Sequence, residues 1–420
     1  MKRTDKSRLP RRPIEDFNLP EAELRRRLIA GAGRHRLQCY LGATLYRELR
    51  GLAIRAANRK QPGLARVLVL PGIMGSRLGI PGRDDRPDEV IWIDPLAIES
   101  GRLARLALPG RRPVRTLGVQ LFKYLKLKLA LEIAGFDIDF HAYDWRASID
   151  TLGRELLDRL RRDRVKPVTL VAHSMGGLVA RAAMNGDHAR QIGRLIMLAT
   201  PNHGSFAPVL ALRGAYPPVR RIAQLDHLHD AETHAQHVFA TFPGLYQLLP
   251  ARERLARPDL YDPADWPRDA RAPRRALLET ALRVREQFAP ADERFTVIAG
   301  IDQPTITALS LRRGEFVYHV TNAGDGTVPV DLALLAGIDS YFVRGNHSEL
   351  PQDNRVVSAI VDLLTQGETR RLERAWRRPD APPQLVSERE LRTDDSSKRS
   401  WRRMSIRERR HILAGVVFPQ

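Results

Sequence analysis

The chain has 420 residues, 43% of them hydrophobic, which is enough apolar side chain for one large α/β unit or for several smaller domains. Its net charge of +20 comes from 69 basic residues against 49 acidic ones. The single cysteine, Cys39, excludes an intramolecular disulfide and removes any need for an oxidising compartment.

The basic residues are mostly Arg, spread along the chain and denser at both ends. Such a surface suits anionic partners, phospholipid headgroups among them, although a coding bias towards Arg with fully solvated charges accounts for it equally well. Without an RNA- or DNA-binding motif, nucleic acid is set aside as a partner. No window reaches the length of a membrane-spanning helix, and the basic N-terminus lacks the apolar core of a secretion signal. A cytoplasmic protein, with at most peripheral membrane contact, is the expectation.

In chain order, residues 1 to about 19 read as disordered, and helices are predicted over Glu21 to Ala30 and Gln38 to Asn58, ended by Gln61-Pro62-Gly63. Ala65 to Leu70 reads as a buried strand running into a glycine-rich loop, Pro71-Gly72-Ile73-Met74-Gly75-Ser76, whose backbone suits close approach to a ligand or a plain tight turn. Residues 80 to 118 are rich in proline and charge. A Leu- and Lys-rich helix (Val119 to Ile133), a strand (Phe136 to Ala142) and an amphipathic helix (Leu152 to Arg162) follow.

Val168 to Val171 then forms a short β-branched run that stops at Ala172-His173-Ser174-Met175-Gly176-Gly177, where helical spacing begins at once. A serine at the apex of such a strand-turn-helix junction is held in a strained conformation that only small neighbours tolerate, with its hydroxyl lifted clear. The pattern is a nucleophile elbow with Ala172 at its first position; Ser174 as a simple helix cap is the competing reading. If Ser174 is a nucleophile, the N–H groups of Met175, at a helix N-terminus, and of Ile73 are the paired donors that a developing oxyanion needs.

Another buried strand (Arg194 to Ala199) completes a strand and helix alternation, which implies a parallel sheet with its ligands beyond the strand C-termini. From Phe206 to about Pro290 the alternation lapses into a helical, apolar insertion that could be a mobile cap or a fixed lobe. Its His227, His229, His234 and His237, with Asp230, carry no expected metal site, because positions two apart point to different sides of a helix. Strands resume at Phe295 to Ala299, in a hairpin turning at Arg312-Arg313-Gly314, and at Ser340 to Val343, before a helix from Arg355 to Leu364. Beyond Gln366 a weakly ordered basic tail is expected.

A serine nucleophile needs a base, and the base needs a carboxylate to orient it. Ser174, Asp325 and His347 occur in that order, each just after a predicted strand. Asp325 is preferred to Asp302 and Asp144 for its flanking glycines and its place before the last strand. His347 is preferred to His203 and to His173, which adjoins the nucleophile and reads as structural.

Five segments together resemble the lecithin:cholesterol acyltransferase-like family of α/β-hydrolases. They are Leu68-Val69-Leu70-Pro71-Gly72-Ile73-Met74-Gly75-Ser76, Ile91-Trp92-Ile93-Asp94-Pro95, Tyr143-Asp144-Trp145-Arg146, Ala172 to Gly177 and Gly324-Asp325-Gly326-Thr327-Val328. The resemblance implies an α/β-hydrolase domain over about residues 63–365, with a cap or lid at about 206–290, between an N-terminal basic and helical segment (1–62) and the tail (366–420). It implies acyl-ester chemistry on lipids without a metal or organic cofactor, an oxyanion donor at Ile73 and a mobile lid. Animal members brace that lid with a disulfide, which one cysteine cannot form. A carboxylesterase for small soluble esters and a non-catalytic binding protein of the same fold are the alternatives.

Overall fold

The computed structural model describes residues 18–59, 65–82, 88–110, 113–163, 167–185, 187–255, 257–269, 271–393 and 397–417. Its centre is a parallel six-stranded sheet of β1 (Arg66–Leu70), β5 (Asp137–Phe140), β6 (Val168–His173), β7 (Ile192–Leu198), β8 (Phe295–Ile301) and β11 (Asp339–Arg344). The order is β11-β8-β7-β6-β1-β5, and every pairing is parallel. This is the α/β-hydrolase fold, as expected. Two antiparallel sheets decorate it: β2 (Ser76–Ile80) between β3 (Glu89–Trp92) and β4 (Arg115–Val119), and β10 (Glu315–Thr321) between β9 (Thr305–Arg312) and β12 (Gln384–Ser387).

The parallel strands are apolar on both faces because each face has its own core. Alternation divides β1 between them. Leu68 and Leu70 join a core with the helices Ile149–Arg162 and Met175–Ala183 and the cap, whereas Val67 and Val69 pack with the helices Glu21–Ala30, Ala43–Ala57, Leu121–Ile133 and Asn354–Gln366. The N-terminal helices therefore pack directly on one face of the sheet. The insertion between β7 and β8 is helical, with helices at Ala207–Leu212, Pro217–Leu225, Ala231–His237 and Arg275–Glu286.

Two expectations change, and one stretch without an assigned structure gains one. The helix read over Gln38 to Asn58 is broken at Gly42, whose φ of 82° ends Arg34–Leu41 and starts Ala43–Ala57 on a new axis. The proline-rich stretch 80–118 contributes β3 and β4. The tail expected to be weakly ordered beyond Gln366 is built into the fold: β12 pairs with β10, Trp401 is buried, and the helix Ile406–Val417 packs on Pro217–Leu225. Its charges misled because one of them, Glu388, is buried against Arg213 in the cap. The disorder read for residues 1–17 and the break at Gln61-Pro62-Gly63 lie outside the described residues.

Candidate active site

The junction of β6 and the helix Met175–Ala183 is one residue long. Ser174 fills it at φ 53° and ψ −126°, a backbone conformation that non-glycine residues adopt at a cost, and its N–H is anchored by Leu198 O at 2.9 Å. The small neighbours are a steric requirement: a Cβ on Gly176 would lie 2.7 Å from Pro71 O, and one on Gly72 would lie 2.9 Å from Ser174 Cβ. Because β1 and β6 are adjacent and in register from Val67 with Thr169 to Leu70 with Ala172, the loop after β1 is delivered directly beside Ser174.

On the other side of β6, the loop that follows the β9–β10 hairpin brings in a carboxylate and the loop after β11 an imidazole. Asp325 is buried; its Oδ1 accepts the N–H groups of Thr327 (2.9 Å) and Val328 (2.7 Å), leaving Oδ2 to lie 2.8 Å from His347 Nδ1. Gly300 of β8 makes room for it, since a Cβ there would lie 2.5 Å from Asp325 Cβ. The His347 N–H also donates to Asp325 O at 2.8 Å, and His347 Nε2 lies 2.9 Å from Ser174 Oγ. With a carboxylate at Nδ1, the ring proton belongs there and the Nε2 lone pair faces the hydroxyl. The structure thus brings Ser174, His347 and Asp325 into one hydrogen-bonded line.

The rivals go elsewhere. Asp302 binds the Arg344 guanidinium, and Asp144 binds Arg146 through Nε at 2.9 Å. His203 is anchored by its backbone to Leu332 O, and burial, with Arg254, Arg285 and Arg181 nearby, pushes its ring down to about 4. His173 lies beside the nucleophile and holds two loops together. Its Nε2 is 3.0 Å from His347 O and its Nδ1 3.0 Å from the Tyr124 hydroxyl, which in turn accepts the Gly72 N–H at 3.0 Å. Burial first, then the charges of His347 and Lys123, hold His173 well below the usual imidazole range. The neutral ring accordingly donates from Nε2 and accepts at Nδ1.

Sequence reading did not find Tyr124 or Lys123, which sit on the helix Leu121–Ile133 and look there like ordinary members of a Leu- and Lys-rich pattern. Lys123 lines the cavity at Ser174, and burial pushes its ammonium down to about 7. The motif segments around Trp92 and Tyr143 prove to be parts of one brace. Trp92 Nε1 and Gln120 Nε2 donate to Met74 O, the Tyr143 hydroxyl to Pro71 O, and Trp145 Nε1 to Ser76 O. Four side chains from three separate segments thereby set the path of the loop that carries Ile73.

Ile73 lines the cavity, and Met175 is the first residue of its helix, where N–H groups have no intrahelical acceptor. Among the described residues neither N–H has a hydrogen-bond acceptor. The cavity, about 70 Å³, is lined on one side by cap residues that include Pro208, Tyr216, Leu245 and Leu248. Ser174 is itself only 5% exposed.

Residues 124–280 match the family model of lecithin:cholesterol acyltransferase. The match takes in Ser174 and most of the cap but covers less than half of the chain and stops short of Asp325 and His347. No curated protein matches the chain. Among solved structures, that of the Tle4–Tli4 complex aligns over 74% of this chain and 100% of its own, at 15% identity and a TM-score of 0.49. The propeptide form of Bacillus licheniformis lipase BlEst2 aligns over 73% and 52% at 15% identity (TM-score 0.38), and phospholipase PlaB from Legionella pneumophila in complex with thio-NAD over 73% and 59% at 12% (TM-score 0.33). Likenesses this distant carry no argument about substrate.

Proposed function

For a chain whose residues 124–280 match the lecithin:cholesterol acyltransferase model, we propose a serine-dependent acyl-ester hydrolase or O-acyltransferase that acts on lipid esters. Ser174 Oγ attacks the acyl carbon as His347 Nε2 takes its proton, and Asp325 holds the imidazole and offsets its charge. The N–H groups of Ile73 and Met175 receive the tetrahedral oxyanion. His347 returns the proton to the leaving alcohol, which leaves an acyl group on Ser174, and water or a second alcohol resolves it. Residues of this chain suffice for each step.

One observation carries this reading: a buried serine hydroxyl 2.9 Å from an imidazole nitrogen whose other nitrogen is 2.8 Å from a buried carboxylate. The test is product analysis by mass spectrometry after incubation with mixed phospholipids and a long-chain alcohol, alongside fluorophosphonate labelling. Free fatty acid marks hydrolysis, a new ester marks transfer, and both should vanish in Ser174→Ala. Equal labelling of wild type and Ser174→Ala, or none of either, favours a non-catalytic binding protein of this fold instead.

The cavity supports a second reading. At about 70 Å³ it has room for roughly two waters, far below the several hundred Å³ of a typical ligand pocket, so a long acyl chain requires the cap to move whereas a small soluble ester asks for less. Comparing short- and long-chain esters with and without anionic vesicles separates the two. Stimulation of long-chain turnover by the vesicles, lost at high salt, is expected for a lipid-directed enzyme that uses its net charge of +20 at the membrane surface.

A further inference from the structure

The cap carries a second cluster of ionisable side chains that the chemistry at Ser174 does not use. The histidine-rich stretch read from the sequence is regrouped in space. His227 and His237 face solvent, Asp230 caps the helix Ala231–His237 through the Thr233 N–H, and His229 and His234 converge on Asp226, just past the end of Pro217–Leu225. Residues 226–230 are not helical, so the spacing argument against a metal site does not apply to them.

We propose that Asp226, His229 and His234 form a site for a divalent transition-metal ion, with zinc the best fit. His229 Nδ1 and His234 Nε2 lie 3.0 Å and 3.1 Å from the same oxygen, Asp226 Oδ2, and the ligand atoms all lie within 4.8 Å of one another. Zinc bonds to nitrogen and oxygen of about 2.0–2.1 Å in tetrahedral geometry require neighbouring ligand atoms to be about 3.3 Å apart. The two nitrogen-to-oxygen distances, 3.0 Å and 3.1 Å, are close to two edges of that tetrahedron. Two imidazoles and a carboxylate are a donor set for zinc and its neighbours in the first transition row, while calcium and magnesium take oxygen ligands.

Hydrogen bonding alone leaves the cluster incomplete. Asp226 Oδ1 accepts the N–H groups of Leu228 (2.8 Å) and His229 (3.1 Å), and Oδ2 accepts from the His229 ring. His234 is fully buried, yet neither of its ring nitrogens has a hydrogen-bond partner; the approach of Nε2 to Oδ2 is close but misdirected. A buried imidazole with neither its N–H nor its lone pair satisfied is costly. A cation against Oδ2 takes the lone pairs of His234 Nε2 and His229 Nδ1. The His229 ring proton then sits on Nε2, on the partly exposed side of the cluster, where solvent can supply the fourth ligand.

The location gives such an ion a task. Tyr216 and Pro218, at the start of the helix Pro217–Leu225, line the cavity at Ser174, and Asp226 closes the other end of that helix. A metal there ties this helix to Ala231–His237 and braces the cap in a chain whose one cysteine cannot. Lys398 of the C-terminal segment donates to the His229 and Ala223 carbonyls and covers the same corner.

The test uses the full-length chain, stripped with a chelator and titrated with cobalt(II), then with zinc, and read by visible absorption, metal analysis and thermal unfolding. About one equivalent of cobalt with the intense bands of a tetrahedral site, displaced by zinc, and a zinc-dependent rise in thermal midpoint are expected. Asp226→Asn and His229→Ala, the second at a partly exposed position, should abolish both signals while keeping the far-UV circular dichroism. His227→Ala and His237→Ala should keep them. Substoichiometric binding by the wild type, full binding by the first pair, or signals lost only in the second pair each overturns the site. None of these outcomes depends on the reading of Ser174.

Discussion

At the scale of single residues, the site depends on groups that never touch substrate. Asp325 meets His347 through one oxygen only, because Thr327 and Val328 occupy the other. Asp325→Asn keeps the shape but loses control of the tautomer, and kcat should fall by about 10⁴-fold with unfolding unchanged within about 1 kcal/mol. Tyr124 is a positioning residue. Tyr124→Phe strands the Gly72 N–H and His173 Nδ1, so stability should drop by about 1–3 kcal/mol and kcat should fall with little change in KM, both read from denaturant melts and steady-state kinetics. Lys123 has a pH signature. Burial takes its ammonium from the ordinary 10.5 to about 7, so between those values the unfolded chain binds a proton that the folded chain lacks, and folding stability rises with pH. Lys123→Met should flatten that rise and raise the thermal midpoint most near pH 7 and below, where wild type buries a charge. Equal pH slopes in the two proteins would refute the assignment.

At the scale of elements, the working unit is the set of loops that leave the C-terminal ends of β1, β6, β10 and β11. The loop after β1 and the elbow after β6 are packed tightly, with Gly176 against the Pro71 and Leu70 carbonyls and Gly72 against the side chains of Ser174 and His173. Gly72→Ala pushes a methyl group to 2.9 Å from Ser174 Cβ and 3.1 Å from His173 Nδ1. Displacing reacting groups by a fraction of an ångström is costly to catalysis, so kcat/KM should fall by about 100-fold while the thermal midpoint moves by only a few degrees. A variant that kept full activity would mean that the Pro71-Gly72 loop does not set the position of Ser174. Trp92, Tyr143 and Trp145 belong to the same unit, and their carbonyl contacts explain why these motifs, far apart in the chain, occur together.

At the scale of the whole molecule, the C-terminal segment clasps the cap. Arg213, 2% exposed, is held by Asp269 at 2.7 Å and by Glu388 at 2.9 Å, and Glu388 lies just after β12. Removing one partner of a buried ion pair leaves an under-compensated charge. Glu388→Ala should therefore cost about 3 kcal/mol, somewhat softened because Asp269 remains, as a shift in the urea midpoint at constant slope. If the segment were a loose tail, the substitution would be silent. No helix among the described residues is long and apolar enough to cross a membrane.

The parallel sheet, the elbow at Ser174 and the chain order of Ser174, Asp325 and His347 were legible in the sequence because each has a local physical cause. Apolar runs make buried strands, small residues permit a strained turn, and glycines free a loop to aim a side chain. The hydrogen-bond line joining those three residues, the clasp formed by a charged C-terminal segment, and the meeting of Asp226, His229 and His234 were not, because burial depends on what folds over a residue. A glutamate in a polar stretch and a tyrosine in a leucine-rich helix look the same alone whether they face water or Arg213 and His173. Only the packing of distant segments gives them those neighbours.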